Sequence, residues 1–256
     1  PAAEKPATKK PTAEESSVQH KPAEVNVAPA LLPQGLADSK AKPLKPSKTY
    51  SLQAHSDDDF SPAMIGRRER IRDTMAYFYV RPENAARRSP WGVMHAIIAY
   101  GVETPLIVGE EEVNAVGWLC WNRPCRGMRL FRAPGGKIKT PIGPGFQGHE
   151  GQFLAMMAQS KVKRDYPMRI DGHEFTIDDL IEFEKRTCRS KSELTFKLIG
   201  LVHYLDSDAQ WKSNTGETWN IPRLISEELD QPVIGAACGG THRMMGFSYA
   251  VHKRRQ

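Results

Sequence analysis

Gln152–Ser160 (QFLAMMAQS), Thr195–His203 (TFKLIGLVH) and Thr241–Tyr249 (THRMMGFSY) can be laid over one another. Val93–Gly101 (VMHAIIAYG) is a looser fourth copy. The starting residues of successive copies are about 59, 43 and 46 residues apart, a spacing typical of stacked helical hairpins. This repeat therefore decides the expected architecture, although it names no reaction.

A second element repeats between these copies. Phe175–Ile181 (FTIDDLI) aligns with Trp219–Ile225 (WNIPRLI) at a step of 44 residues. The first type of helix is apolar nearly all round, which is typical of a buried helix. The second type is amphipathic and is expected to lie outside the first. Each repeat unit is therefore predicted to pair one inner helix with one outer helix.

Apolar periodicity and capping residues predict eight helices. Their predicted bounds are Pro62–Val80, Trp91–Tyr100, Glu110–Trp121, Glu150–Ser160, Phe175–Cys188, Ser192–Leu205, Trp219–Leu229 and Thr241–Val251. Residues 122–148 form a long predicted loop, and residues 206–216 a polar turn. Strand-like alternation is nearly absent, and Lys137–Ile142 could form at most a short hairpin.

These patterns predict an all-α fold made of helical-hairpin repeats. An inner layer of buried helices wrapped by an outer layer describes an α/α toroid or a partial arc of one. A HEAT-like open solenoid is the alternative. The last inner helix is followed by no outer one, so the domain can be read as complete or as truncated at its C-terminus.

The first part of the 256-residue chain differs in composition from the rest. Residues 1–55 are rich in Pro, Ala and Lys, and they are predicted to be a disordered linker before a repeat domain at residues 56–256. The chain opens at Pro1, which fits an upstream signal peptide or membrane tether and a location in the cell envelope or periplasm. An expression boundary fits equally well, so a cytoplasmic location stays open.

Composition excludes some classes of function. The net charge of +6 comes partly from the linker and the basic C-terminus, and no basic–aromatic pattern typical of single-strand binding is present, so we do not expect nucleic acid as a partner. No apolar run reaches the length of a transmembrane segment. Cys120, Cys125, Cys188 and Cys238 permit two disulfides without requiring any, and their pairing stays open.

The inner helices should all run in the same direction, so their amino-terminal ends should gather at one mouth. Such ends carry unpaired N–H groups that favour bound anions. Candidate catalytic residues there are Glu150, Glu193 and His242, although no complete catalytic set is present. Residues proposed to bind a ligand at this mouth are His95, His149, Glu150, Lys197, His242 and Arg243.

The repeat alignment places His95, Leu154, Lys197 and Arg243 in one column. Basic groups at a buried position are costly unless they are paired or face a polar cavity. The column therefore favours either an anion-binding cavity or structural pairing with acids such as Glu150 or Glu193.

A zinc site is the third hypothesis for this region. Cys238 lies four residues before His242, and His203 could lie nearby, which would bring together zinc-binding residue types. A cysteine before a helix is more often a small buried hydrophobe. We expect no metal and no cofactor.

The segments HEGQFLAMMAQS, ELTFKLIGLVHYLDSDAQW and ACGGTHRMMGFSYAV resemble an uncharacterised group of planctomycete-type bacterial envelope proteins. More distantly, the repeat resembles the α/α toroids of terpenoid cyclases and protein prenyltransferases. The first resemblance covers residues 89–256 and implies no established activity. The second implies architecture only, and complete toroids of that kind carry more hairpins than the three and a half present here.

The expected function is a binding or scaffold module of the cell envelope that uses the mouth of the inner helices. Its ligand would be a small molecule, a glycan or a protein. The alternative is a toroid enzyme acting on a glycan or an isoprenoid-like substrate, and whether the chain is an enzyme stays open.

Overall fold

The computed structural model describes residues 60–254. The predicted linker at residues 1–55 and the first four residues of the predicted repeat domain lie outside this part of the chain. Its helices are α1 (Pro62–Tyr79), α2 (Pro90–Tyr100), α3 (Ala115–Cys120), α4 (Gln152–Gln159), α5 (Ile177–Arg186), α6 (Thr195–Tyr204), α7 (Ile221–Leu229) and α8 (Thr241–Arg254). Its strands are β1 (Glu83–Asn84), β2 (Pro105–Val108), β3 (Glu111–Asn114), β4 (Pro167–Ile170), β5 (His173–Thr176), β6 (Gln210–Lys212) and β7 (Thr218–Asn220).

The repeat unit contains two helices and two strands. Three units follow one another as α2-β2-β3-α3, α4-β4-β5-α5 and α6-β6-β7-α7, and α8 is the inner helix after the third. In each unit an antiparallel hairpin joins the inner helix to the outer helix. β1 extends the first hairpin by pairing in parallel with β2. We call this arrangement the αββα unit.

The expected all-α fold is therefore wrong, and so is its assignment as an α/α toroid, because three small sheets lie between the helices. The predicted helix Glu110–Trp121 is a strand in its first half, and only Ala115–Cys120 is helical. The connector before α5 and the predicted polar turn at residues 206–216 also form hairpins. Backbone pairing between adjacent strands of three or four residues satisfies the N–H and C=O groups of these segments.

Each hairpin leads directly into its outer helix. The last strand residue is also the helix N-cap in all three units: Asn114, Thr176 and Asn220. The Asn114 and Asn220 side chains accept hydrogen bonds from backbone N–H groups of the first turn, and Thr176 forms a capping box with Asp179. These caps fix the start of each outer helix and its rotation relative to the hairpin.

The core lies around α4 and α6, which are buried on nearly all sides as predicted. The outer helices α5 and α7 each bury one face only. Gly151, the N-cap of α4, has a φ of 77° and lies so close to α6 that a Cβ there would be 2.9 Å from the Lys197 backbone nitrogen. Only glycine allows this approach.

The inner helices at the two ends of the repeat, α2 and α8, are less buried than predicted. In α8 the buried residues are Gly246 and Ala250, whereas Met244, on a helix predicted to be buried on nearly all sides, is 68% exposed. α2 buries one face, and α1 has no buried residue. Only α4 and α6, the two middle inner helices, are therefore buried on nearly all sides.

Residues 122–148 are a long connection, as predicted, with one short 3-10 turn at Pro134–Gly136 and isolated bridges in place of the suggested hairpin at Lys137–Ile142. The four cysteines are free thiols, and Cys238 alone among them is exposed. Among the described residues, no helix is both long and apolar enough to cross a bilayer.

Candidate functional site

Lys197 lies in a buried ion pair between an inner and an outer helix. Its Nζ is 2.7 Å from Oε2 of Glu184 on α5, and both side chains are 1% exposed. Nζ also donates to the Thr187 hydroxyl at 2.6 Å. The structure therefore places Lys197 against the outer helix, in the paired arrangement that its buried position requires.

Glu150 joins the same network from the start of α4. One carboxylate oxygen, Oε2, is 3.4 Å from Nζ of Lys197, and the other accepts a hydrogen bond from Arg189 at 2.7 Å. Burial raises the pKa of the Glu184 carboxyl, and the nearby Lys197 ammonium opposes that shift. This network joins two units and leaves Glu150 engaged with two cations.

A second pair of the same kind joins the third unit to α8. Glu228 on α7 is fully buried, and its Oε2 accepts hydrogen bonds from Nε of Arg243 at 3.1 Å and from the Thr195 hydroxyl at 2.7 Å. Its Oε1 accepts from the Leu194 backbone N–H at the start of α6. Glu228 thus caps the inner helix of its own unit and pairs with Arg243 on the following inner helix.

The two pairs occupy equivalent positions of the repeat. Glu184 and Glu228 each lie eight residues after the N-cap of their outer helix, and Lys197 and Arg243 each lie in the first turn of an inner helix. The outer helices α5 and α7 therefore each place a carboxylate against a base on the inner helix that follows.

The first junction departs from this pattern. Asn122 lies eight residues after the N-cap Asn114, and it is buried with its side chain hydrogen-bonded to both backbone groups of Phe131. Leu154 occupies the position of the base. An amide and an apolar side chain thus replace the ion pair.

His95 does not belong to the column that the sequence alignment gave it. Pro90 and Gln152, which begin α2 and α4, are 62 residues apart. The first two N-caps, Asn114 and Thr176, are also 62 residues apart. The sequence alignment, which placed Val93 against Gln152, is therefore shifted by three residues. His95 is not equivalent to Lys197 and Arg243.

A separate cluster gathers at the amino-terminal ends of α4, α6 and α8, as predicted. It consists of His149, Glu193, Phe196 and His242, and we call it the mouth cluster. Nδ1 of His149 is 2.8 Å from a Glu193 carboxylate oxygen. The His149 ring stacks on Phe196 with centroids 5.0 Å apart, and the His242 ring meets both edge-on at 5.3 and 5.0 Å.

His242 is the least satisfied member of the mouth cluster. Its Nδ1 is shielded from water and has no hydrogen-bond partner within residues 60–254. Burial lowers the pKa of the imidazole, and the neighbouring His149 lowers it further, while Glu193 acts in the opposite direction. His242 is therefore held as a neutral imidazole with an unused polar atom.

Trp91 and His95 border this cluster from α2. Their rings lie 3.9 Å apart between centroids, and Nδ1 of His95 is 2.7 Å from the Trp91 carbonyl oxygen. A Cβ added at Gly148 would be 3.5 Å from Nε1 of Trp91. The indole, which is 44% exposed, therefore lies beside the residue that precedes His149.

The residues considered for zinc are not brought together. His203 lies at the end of α6, where Nδ1 is 2.7 Å from the Tyr249 hydroxyl, and His242 lies at the opposite end of α8. Cys238 is exposed before α8. In the part of the chain that the structure describes, no three His, Cys, Asp or Glu side chains are placed to hold a metal ion.

The sequence analysis did not identify Glu184 and Glu228, the carboxylates of the two ion pairs, or Phe196 of the mouth cluster. The two glutamates are 44 residues apart, the same step as the outer-helix repeat. Extending the alignment of the outer helices by three residues beyond Ile181 and Ile225 brings Glu184 and Glu228 into one column. Phe196 carries no such signal, because one buried aromatic looks like any other core residue.

No protein-family model, curated protein or solved structure matches the chain. The resemblance to planctomycete-type envelope proteins stays a prediction. The site is therefore interpreted from its own geometry.

Proposed function

We propose that the chain is a binding module whose ligand docks at the mouth cluster and on the adjoining Trp91 and His95. The observation that carries the proposal is the exposed Trp91 ring beside a cluster of two imidazoles and a carboxylate. An apolar ring next to hydrogen-bonding groups can hold both the apolar face and the hydroxyl groups of a ligand.

The chemistry of the surface favours a neutral, hydroxyl-rich ligand such as a glycan. Trp91 offers an exposed apolar ring face, and the imidazoles and the Glu193 carboxylate offer donors and acceptors beside it. The lowered pKa of His242 keeps that ring uncharged at neutral pH, so it adds no positive charge for an anion. Apolar faces with a few polar groups are typical of small-ligand sites.

The test is calorimetric titration with soluble oligosaccharides derived from bacterial cell walls. His242→Ala and Trp91→Ala are each expected to weaken binding by about tenfold or more, equivalent to ~1.4 kcal/mol. His173→Ala, an exposed histidine on β5, is the matched control and should bind as the parent does. If both mouth variants keep the parent affinity for a glycan that binds, the mouth cluster is not the site.

A second candidate function is favoured by the His149–Glu193 hydrogen bond. A carboxylate that orients an imidazole is the arrangement of a general base and its positioning partner. The two candidate catalytic glutamates have different partners: Glu150 binds Lys197 and Arg189, whereas Glu193 binds His149. Hydrolysis of a bound glycan that His149→Ala abolishes, with binding retained, would assign catalysis to the mouth.

We also propose a location in the cell envelope, supported by the Pro, Ala and Lys-rich composition of residues 1–55. Fractionation of cells expressing the full-length gene tests it. Recovery of the protein in the cytosolic fraction would contradict this location and leave the ligand proposal standing.

A further inference from the structure

Six cationic side chains follow one another in the long connection between α3 and α4. Four arginines recur at every third position and two lysines come after them: Arg123, Arg126, Arg129, Arg132, Lys137 and Lys139. We call these six residues the basic connection. No aspartate or glutamate occurs between Glu112 and Glu150. The positive charge of the basic connection is therefore not offset by acids of the same segment.

The backbone folds these cations into a small area. Cys125 and Met128 exchange backbone hydrogen bonds of 2.8 and 2.9 Å across a two-residue turn, in which Arg126 has a φ of 50°. Arg132 and Lys139 face each other in the same way, through bonds of 3.0 and 2.8 Å. Residues directly opposite in such a pair have Cβ atoms about 5 Å apart, and like charges there are unfavourable. A bound anion would offset this repulsion.

Acids of other elements do not pair with the basic connection. Within residues 60–254, none of its six side chains forms a salt bridge. Asp171 lies beside the segment, where its carboxylate accepts a hydrogen bond of 2.8 Å from the Ala133 backbone N–H. Burial lowers the pKa of Arg123, and the nearby charge of Arg129 lowers it further. These two guanidinium groups are therefore close to each other without a carboxylate paired to either.

The guanidinium groups keep hydrogen-bond donors for a ligand. Nη1 of Arg129 donates to the Asn122 carbonyl at 2.7 Å, and Nη1 of Arg132 donates to the Phe131 carbonyl at 2.9 Å. These bonds hold the two planar groups in place, while each guanidinium carries five N–H donors in all. The exposed Arg126 side chain makes no hydrogen bond with any other described residue.

We propose that the basic connection binds a soluble chain of closely spaced phosphate groups without bases, such as linear polyphosphate. A guanidinium group can bind two oxygens of one phosphate through parallel N–H bonds, and arginine is preferred to lysine where this geometry matters. Six cations in a short segment match a ligand with several charges better than a single phosphate ion. The site uses none of the residues of the mouth cluster, so it does not depend on the glycan proposal.

The other side chains of the segment disfavour two further sources of phosphate. Single-stranded nucleic acid is bound by aromatic rings on which its bases stack, but Phe131, the one aromatic residue between Arg123 and Lys139, is fully buried. A lipid surface is bound by apolar side chains that enter the membrane, but Leu130 and Ile138 are also buried. The charges are therefore presented without the groups that bases or lipids require.

Calorimetric titration of the full chain with linear polyphosphate tests the proposal. The double variant Arg126→Gln, Arg129→Gln should weaken binding by about tenfold or more and reduce the slope of log Kd against log salt concentration by about 2, one for each lost phosphate contact. The double variant Arg67→Gln, Arg70→Gln removes the same charge from exposed arginines of α1. It is the matched control and should bind as the parent does. Equal weakening in both would show that binding follows net charge alone and would overturn the proposal.

Two further variants separate the site from a change of fold. Lys137→Gln, Lys139→Gln leaves the arginine bonds to the backbone intact and should also weaken binding, by about threefold or more. Arg126→Lys, Arg129→Lys keeps the charge without the planar group and should bind more weakly than the parent but more tightly than the glutamine pair. Parent affinity in both glutamine variants, or a parent that binds no polyphosphate, would overturn the proposal. Tighter binding of phosphatidylglycerol vesicles or oligodeoxythymidine than of polyphosphate would overturn it too, by assigning the surface to lipid or nucleic acid.

Discussion

At the scale of single residues, the Lys197 ammonium depends on acids from two other elements. Its nearest carboxylate is Glu184, and Glu150 completes the set at a longer distance. A buried ion pair adds little net stability over apolar residues of the same volume. Removing one partner alone is strongly unfavourable, because the other charge then remains buried without compensation.

Lys197→Met is therefore expected to lower the free energy of unfolding by about 3–5 kcal/mol at neutral pH. Lys212→Met, at an exposed position of β6, should change it by less than about 0.5 kcal/mol. Urea denaturation monitored by circular dichroism measures both. Equal stability of the two variants would show that the buried pair is not formed.

The same variant should respond to pH in a defined direction. Burial raises the pKa of Glu184, and Lys197 is the main opposing influence, so its removal raises that pKa further. A carboxyl with a raised pKa in the folded state binds a proton that the unfolded state does not, so stability is lost as pH rises. The deficit of Lys197→Met should therefore shrink as the pH falls from 7 toward the ordinary carboxyl value of 4.5.

The pKa shift of His242 predicts a change of stability with pH in the opposite direction. Burial and His149 lower its pKa below the ordinary 6.5, so acidification protonates the unfolded state first and destabilises the fold. His242→Gln cannot take up this proton and should lose less stability than the parent between pH 7 and 5. His173→Gln is the control, and thermal melts across that range provide the measurement. Parallel curves for the parent and His242→Gln would contradict the prediction.

The pairing of Lys197 could be predicted from the sequence only in part. A lysine in a column of buried residues indicates a nearby acid, and Glu150 was among the acids expected. The closest acid, Glu184, lies on a helix whose rotation depends on the Thr176–Asp179 capping box. Predicting which side chains pair across a junction therefore requires the geometry of the hairpin as well as the helical period.

At the scale of elements, the hairpins were missed because their strands are short. β6 and β7 have three residues each, too few for an alternating pattern to rise above chance. In Glu110–Trp121, acidic residues before an apolar run looked like a helix start. Asn114 is the actual cap, and the acids before it belong to β3.

The α4–α6 and α6–α8 contacts are predicted to differ in their tolerance of a methyl group. Gly200 and Gly246 share one repeat position, but a Cβ at Gly200 would be 2.8 Å from Leu154, and one at Gly246 no closer than 3.5 Å to its neighbours. Gly200→Ala should destabilise the fold by about 1–3 kcal/mol through overpacking. Gly246→Ala should be neutral or stabilise it by up to about 1 kcal/mol through helix propensity. Equal effects in denaturant unfolding would contradict the different packing of the two junctions.

At the scale of the whole molecule, stability should decline from the middle of the array toward α1. α4 and α6 are almost completely buried, whereas α1 has no buried residue. Amide hydrogen exchange should therefore be on the order of 100-fold or more faster in α1 than in α4 and α6. Similar protection in α1 and α4 would show that another surface covers α1.

The order of inner and outer helices along the array could be predicted from the sequence, because the layers differ in apolar pattern. The exposure of Met244 could not be predicted, because burial of a terminal helix depends on a neighbour and not on its own composition. Met244 and the buried Leu198 occupy the same repeat position.

The ion pairs across the junctions have a consequence for how such a chain could grow. Glu184 belongs to one αββα unit and Lys197 to the next, and Glu228 and Arg243 repeat that division. A tandem duplication of the third unit would present a new base to Glu228 and a new carboxylate to Arg243. Each copy of the third unit would carry a base near its start and a carboxylate near its end. The array could therefore gain units while every new junction kept the same kind of ion pair.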